Sequence, residues 1–208
     1  MLKALLFDLD GTLADTDPLH LWAWREALAP WGIGVDEAFY RKRISGRLNP
    51  DILQDLLGLD GEAAAQIIEA KEARFRELAQ DLKPMPGLLE LLEEAQAKGL
   101  TWGVVTNAPK ANAHHVLGAL GLKPPLLVLA EEVGRGKPHP LPYQVALKRL
   151  GLLPKEALAF EDSPSGVRSA VGAGITTYAI LSGHPREALL EAGADRVIAS
   201  FMDFLLLP

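Results

Sequence analysis

Two aspartates separated by one residue stand at the end of a short, mostly apolar segment near the N-terminus. This segment covers residues 2–7, and Asp8, Leu9, Asp10 and Gly11 follow it. Such a run is typical of a buried strand, and glycine permits a sharp turn after it. Unpaired buried carboxylates are destabilising, so this position favours catalysis or metal binding over a simple turn.

Three later apolar segments are each followed by polar residues that could act together with Asp8 and Asp10. These residues are Thr106, Asn107, Lys137, Glu161 and Asp162. Each group alone has an ordinary explanation, such as a turn, a surface loop or a helix N-cap. Their joint placement after successive strands is what points to a shared site.

Helices and strands alternate in the sequence from residue 84 onward. We predict strands at 100–106, 126–129, 157–160, 175–180 and 196–198, and helices at 88–98, 110–120, 140–150 and 164–173. Such alternation with short connections is typical of a parallel sheet with right-handed crossovers. Ligands bind at the carboxyl ends of the strands in such sheets. The polar groups at the strand ends are therefore expected to converge at one edge.

Residues 17–81 show the hydrophobic spacing of helices and no strand pattern. Pro84 and its neighbours mark the return to alternating elements. We therefore predict the α/β class, with a Rossmann-like parallel sheet core formed by residues 1–15 and 84–208. Residues 16–83 would form a small α-helical domain inserted after the first strand.

The segment DLDGTL after the first strand resembles the first motif of the haloacid dehalogenase-like (HAD) phosphotransferases. The longer pattern DLDGTLADTDPLHLWAW is similar to the subfamily of β-phosphoglucomutases and phosphoglycolate phosphatase-like enzymes. The polar groups after the later strands resemble the remaining motifs in the same order, so the resemblance covers essentially the whole chain. It implies a phosphatase that hydrolyses a small phosphomonoester through an aspartyl-phosphate.

The resemblance also implies a role for each group. Asp8 is the expected nucleophile, and Asp10 is expected to protonate the leaving alkoxide and then to activate water as a general base. Thr106 and the Asn107 amide would hold phosphoryl oxygens, and Lys137 would neutralise charge on the nucleophile and the phosphoryl group. The dehalogenases lack an acid at the position of Asp10, so its presence favours phosphate chemistry.

A bound Mg²⁺ is the cofactor that the resemblance implies, and this cation suits a site built from oxygen ligands. The expected ligands are Asp8, the backbone carbonyl of Asp10, and Asp162. Glu161 would bind either directly or through water.

The helical insertion resembles the cap domain of the family, which closes over the site and selects the substrate. The candidates for facing the site are Thr16, His20, Trp24, Gly46 and Arg47. His20 and Trp24 are four residues apart and share a helix face. Trp24 fits a packing role as well as a substrate-binding role.

The cap departs from the mutase pattern at two positions. The mutases carry a lysine just before the glycine that matches Gly46 and an arginine three residues after it, where this chain has Ser45 and Asn49. Either Arg47 replaces the missing arginine, or the substrate carries a single phosphate. We therefore place a phosphatase first and a phosphomutase second. A non-catalytic binding protein on the same fold is the third alternative.

The amino-acid composition limits the kinds of partner and chemistry that the protein can have. The chain has 208 residues, 49% of them hydrophobic, a net charge of -6 and no cysteine. It can bury a core with a small second domain, and a cysteine nucleophile or thiolate metal site is excluded. Its charge and lack of a long apolar run argue against nucleic-acid and membrane partners. We expect a cytoplasmic enzyme acting on a small phosphorylated metabolite, as a monomer or, alternatively, a dimer.

Overall fold

The computed structural model describes residues 1–204 of the chain, so residues 205–208 of the predicted core lie outside the described residues. The strands in this part are β1 (Ala4–Phe7), β2 (Thr101–Thr106), β3 (Leu126–Leu129), β4 (Ala157–Glu161), β5 (Thr176–Ile180) and β6 (Arg196–Ile198). They form one sheet in the order β3-β2-β1-β4-β5-β6, and all neighbours are parallel. The predicted α/β class with a Rossmann-like sheet is confirmed.

Helices flank this sheet and also fill the segment between β1 and β2. That segment holds α1 (Asp17–Leu28), α2 (Glu37–Arg43), α3 (Asn49–Leu57), α4 (Gly61–Leu78) and α5 (Leu88–Ala97). The later helices are α6 (Lys110–Ala119), α7 (Ala130–Val133), α8 (Leu141–Leu150), α9 (Pro164–Gly172) and α10 (Arg186–Glu191). The short α7 and α10 were not predicted, because each is too short to show a clear helical repeat in the sequence.

The central strand β1 is buried on both faces. Leu5 and Phe7 pack in one apolar cluster, and Ala4 and Leu6 pack in another on the opposite face. This alternation follows from the two-residue repeat of a strand, and burial on both faces is usual for a parallel sheet covered by helices. The chain leaves β1 for β2 on one side and returns to β4 on the other. The strand order therefore reverses beside β1, where such sheets bind ligands.

The helices α1 to α4 have an apolar cluster of their own. Its buried members are Leu21, Trp24, Leu28, Val35, Tyr40, Ile44, Ile52, Leu53 and Ala64. A separate cluster of this kind fits a small helical unit beside the sheet. We call α1 to α4 the cap from here on, and its boundaries at residues 16 and 83 stay a prediction. No helix in the described part is long and apolar enough to cross a membrane.

Phe160 offers a test of the core. It is fully buried, stacks on Phe7 at a centroid distance of 5.1 Å and meets the edge of Phe201 at 5.2 Å. Phe160→Ala is expected to lower the free energy of unfolding by about 3–5 kcal/mol, because it leaves a cavity in a close-packed site. Urea denaturation measures the change. Leu153→Ala at an exposed position should change it by less than about 0.5 kcal/mol. Equal losses in the two variants would contradict this account of the core.

Candidate active site

The predicted groups meet at the carboxyl edge of the sheet around Asp8. Its backbone N–H donates to the carbonyl of Phe160 at 2.9 Å, which continues the β1–β4 ladder by one residue. Thr106 ends β2, and its hydroxyl accepts from the backbone N–H of Ala108 at 2.9 Å. Glu161 ends β4. The parallel arrangement therefore brings residues that are far apart in the sequence to one point.

Lys137 connects two of these carboxylates. Its Nζ donates to Asp8 Oδ1 at 2.5 Å and lies 2.6 Å from Glu161 Oε1, and the ammonium is almost fully buried. The Tyr143 hydroxyl donates to the same Glu161 oxygen at 2.5 Å. The side-chain amide of Asn107 binds both the N–H and the carbonyl of Lys137, at 2.9 and 3.2 Å. The Asn107 side chain thus positions the backbone of the lysine.

Three buried carboxylates form a group that could hold a divalent cation. Oxygens of Asp8, Glu161 and Asp162 lie within 4.8 Å of one another. The second oxygen of Glu161 is buried without a hydrogen-bond partner in the structure. A buried carboxylate oxygen without a donor is expensive, and an oxygen-rich site of this kind is what hard divalent cations bind. The residues present therefore fit a divalent metal.

The pKa values of Asp8, Asp162 and Lys137 also indicate that this site has an excess of negative charge. Burial raises the pKa of the Asp8 carboxyl to about 7, although Lys137 opposes the shift. Burial and the charge of Asp8 raise the pKa of Asp162 well above its usual range. Burial would lower the pKa of Lys137, but the charges of Asp8 and Glu161 raise it above its usual value, so the lysine stays an ammonium. A divalent cation would offset the remaining negative charge.

Two glycines lie so close to the buried carboxylates that a larger side chain would not fit at either position. Gly11 has φ +76°, and a Cβ there would overlap the carboxylate of Asp162. A Cβ at Gly166 in α9 would overlap the carboxylate of Glu161. Gly11 permits both the turn after β1 and this close approach.

Asp10 faces the cap and not the carboxylate group. Its Oδ1 accepts from the Thr16 hydroxyl at 2.7 Å and lies 3.3 Å from His20 Nε2. Lys71 Nζ lies 2.9 Å from His20 Nδ1. Because an ammonium can only donate, Nδ1 is the acceptor and the Nε2–H donates to Asp10. Burial would raise the pKa of Asp10, but the hydrogen bonds from His20 and Thr16 and the positive charge of Lys71 outweigh it and hold the pKa below its usual value.

A cavity of about 110 Å³ lies between this edge and the cap. Of the predicted cap residues, His20, Trp24, Gly46 and Arg47 line it. Trp24 is 1% exposed and belongs to the cap core as well, so it both packs and lines the cavity. Gly46 approaches the core closely, since a Cβ there would lie 3.2 Å from Ser163.

The charge of Arg47 is already paired within the cap. Its guanidinium donates to Asp55 Oδ2 at 2.9 Å and to the backbone carbonyls of Arg43 and Asp51. Arg47 therefore lines the cavity, but its guanidinium is already bound by groups of the cap.

Sequence reasoning missed several residues of the site: Lys71, Glu72, Tyr143, Asn112 and Gly166. Lys71 and Glu72 lie in a helix rich in charged residues, where a buried pair has no distinct sequence signal. Gly166 follows Asp162 by four residues within α9, and a glycine so near the start of a helix is a signal of close approach that could have been used.

The fold and the site define a class of α/β enzymes. In this class the reacting groups follow the strands of a parallel sheet, and helices inserted after the first strand cover these groups. The chain belongs to the haloacid dehalogenase-like hydrolases, the family that matches residues 2–174.

Similar proteins and a similar crystal structure are consistent with membership of this family. The phosphorylated carbohydrates phosphatase of Thermotoga maritima is 34% identical over 204 residues, which cover 95% of this chain and 94% of that protein. The N-acetylmuramic acid 6-phosphate phosphatase of Pseudomonas putida is 35% identical over 205 residues, covering 95% and 92%. The crystal structure of CbbY from Rhodobacter sphaeroides with phosphate has a TM-score of 0.85 at 30% identity, covering 98% and 96%. The predicted class, a phosphoric monoester hydrolase, is confirmed.

Gly166→Ala tests the proposed cation site. The added methyl displaces the Glu161 carboxylate, so the affinity for a divalent cation should fall by at least about tenfold. Isothermal titration calorimetry with MgCl₂ measures it. Gly172→Ala is the matched control on the same helix, where the new Cβ would only touch Pro140 at 3.4 Å. Unchanged affinity in Gly166→Ala would argue against Glu161 as part of the cation site.

Proposed function

We propose that this chain is a Mg²⁺-dependent phosphatase that hydrolyses a small phosphorylated carbohydrate through a phospho-Asp8 intermediate. The observation that carries the proposal is the buried Asp8 carboxylate paired with Lys137 at the floor of a cavity. Nucleophilic attack requires an ionised carboxylate, and the ammonium favours that form. Thr106 lines the same cavity and offers a hydroxyl to a phosphoryl oxygen.

In the first step an Asp8 oxygen bonds to phosphorus as the bond from phosphorus to the substrate oxygen breaks. Asp10 gives its proton to that oxygen, and the alcohol leaves. The low pKa of Asp10 in the free enzyme means that it must first gain a proton, and the negative charge of a bound phosphoryl group raises the pKa of a neighbouring carboxyl. Lys137 offsets the charge on the phosphoryl group.

In the second step water attacks the phosphorus of phospho-Asp8 and releases inorganic phosphate. Asp10 enters this step as the carboxylate, the form that its contacts with Thr16 and His20 favour. It takes a proton from the water and becomes the acid again, while the bond from phosphorus to Asp8 breaks and restores the Asp8 carboxylate. Asp8, Asp162 and Glu161 would hold the Mg²⁺ together with the Asp10 backbone carbonyl. When bound, the cation supplies positive charge for the phosphoryl oxygens.

The cap side of the cavity favours a substrate with one phosphate. Of its cationic side chains, Lys71 lies 2.9 Å from Glu72, and Arg47 lies 2.9 Å from Asp55. Both charges are therefore partly neutralised before a substrate binds. A neutral polyhydroxyl group fits such a polar wall better than a second phosphate does. The names of the related phosphatases support a carbohydrate, and a cytoplasmic location stays a prediction.

Asp8→Asn is the direct test of the covalent mechanism. The amide is a poor nucleophile, so release of phosphate from sugar phosphates should fall by at least about a thousandfold. A malachite-green assay with Mg²⁺ measures it across a panel of phosphomonoesters. Asp81→Asn at an exposed position is the control and should keep full activity. Persistent turnover by Asp8→Asn would exclude the phospho-Asp8 intermediate.

A phosphomutase is the alternative, and the position of Asn49 argues against it. This residue stands where the resembled mutases carry an arginine, and its amide donates to Glu72 at 2.5 Å. The side chain is thus engaged within the cap and brings no positive charge to the cavity.

Phosphorus NMR can separate the two activities. With glucose 1-phosphate and catalytic glucose 1,6-bisphosphate, we expect inorganic phosphate as the main product, because water is the final acceptor. Formation of glucose 6-phosphate faster than phosphate release would establish the mutase activity instead.

A further inference from the structure

We propose that Glu72 is a positioning residue for the acid–base step. It holds Lys71, and through Lys71 it holds His20 against Asp10. Its bond to Asn112 makes this arrangement depend on contact between the cap and the core. The inference rests on the proposed function, because it concerns how Asp10 is placed for proton transfer.

The Glu72 carboxylate is buried and uses both oxygens. Oε1 accepts from Lys71 Nζ at 2.9 Å and from Asn49 Nδ2 at 2.5 Å. Oε2 accepts from Asn112 Nδ2 at 2.5 Å. Glu72 and Lys71 belong to α4 and Asn49 begins α3, whereas Asn112 belongs to α6, the helix that follows β2 and Thr106. One carboxylate therefore joins two cap helices to the core.

A continuous chain of contacts leads from Glu72 to the reacting carboxyl. Lys71 contacts His20 at 2.9 Å, and His20 contacts Asp10 at 3.3 Å. The His20 ring also stacks on Phe75 with centroids 3.9 Å apart, which limits its rotation. If the side chain at position 72 could not accept from Asn112, it would not be held in place, and the buried Lys71 ammonium would lose the partner that fixes its direction.

Arg76 fixes the direction of the contact with the core. Its Nη1 donates to Asn112 Oδ1 at 2.9 Å, so the Asn112 amide must present its NH₂ group to Glu72. The polarity of this bond is therefore defined, with Asn112 as donor and Glu72 as acceptor. A buried ion pair adds little net stability compared with apolar residues, so stability alone does not account for this network.

The test compares two aryl esters of similar shape, phenyl phosphate and 4-nitrophenyl phosphate. Nitrophenolate leaves readily without a proton, whereas phenolate depends more on a general acid. Because kcat/KM reports the steps up to alcohol release, it includes the acid step and leaves out the later hydrolysis of phospho-Asp8. The comparison of the two esters then separates the acid step from substrate binding. A residue that merely supports the fold would affect both esters equally.

Glu72→Gln should lower kcat/KM for phenyl phosphate by about tenfold and for 4-nitrophenyl phosphate by less than about threefold. Glu77→Gln, an exposed site on the same helix, should leave both values unchanged. Equal losses on the two esters, or no loss, would overturn the proposal. Activity of the wild type and its absence in Asp8→Asn test the proposed function separately.

A second variant tests the contact itself. In Glu72→Gln with Asn112→Asp, the new amide can donate to the new carboxylate at position 112, which also accepts from Arg76. This reverses the bond and keeps an acceptor for Lys71, so phenyl phosphate activity should return to within about threefold of wild type. Failure of a folded double variant to recover would overturn the link to the core. Should Glu72→Gln not fold, Asn112→Ala is read by the same comparison of esters.

Discussion

The buried pairing of Lys137 with Asp8 and Glu161 is the interaction on which the site depends. The parallel sheet brings carboxylates from two neighbouring strands to one edge, and burial there makes their negative charge unfavourable. Lys137 offsets part of it at 2.5 and 2.6 Å, and the orphaned Glu161 oxygen together with Asp162 leaves a place for a divalent cation. Asn107 holds the backbone of this lysine, and the Tyr143 hydroxyl holds the Glu161 carboxylate.

Much of the fold was readable from the sequence because each element has a simple repeat. The predicted strands agree with β1 to β6 within about two residues at their ends. The convergence of Asp8, Thr106, Lys137 and Glu161 followed from one rule, that parallel strands end at the same edge. The family resemblance then supplied the chemical roles, which spacing alone would have left open.

The cap could be predicted only as a set of helices. Which side chains point into the cavity depends on the packing of α1 against α4, and one sequence does not specify it. Arg47 illustrates the difference: it is close in sequence to Gly46 and lines the cavity, yet its guanidinium is bound by Asp55. Lys71 and Glu72 illustrate the opposite case. As charged residues they would be expected on an exposed helix face, whereas both are buried.

The two aspartates of the opening motif lie in different surroundings, which suit the different roles proposed for them. The core supplies the partner of Asp8, and that pair needs no contribution from the cap. Of the partners of Asp10, Thr16 immediately precedes the cap helix α1 and His20 belongs to it. In the proposed mechanism the nucleophile is complete within the core, whereas the acid–base group needs contacts from the cap. A substrate that stabilised the cap against the core would then also stabilise the group that protonates its leaving oxygen.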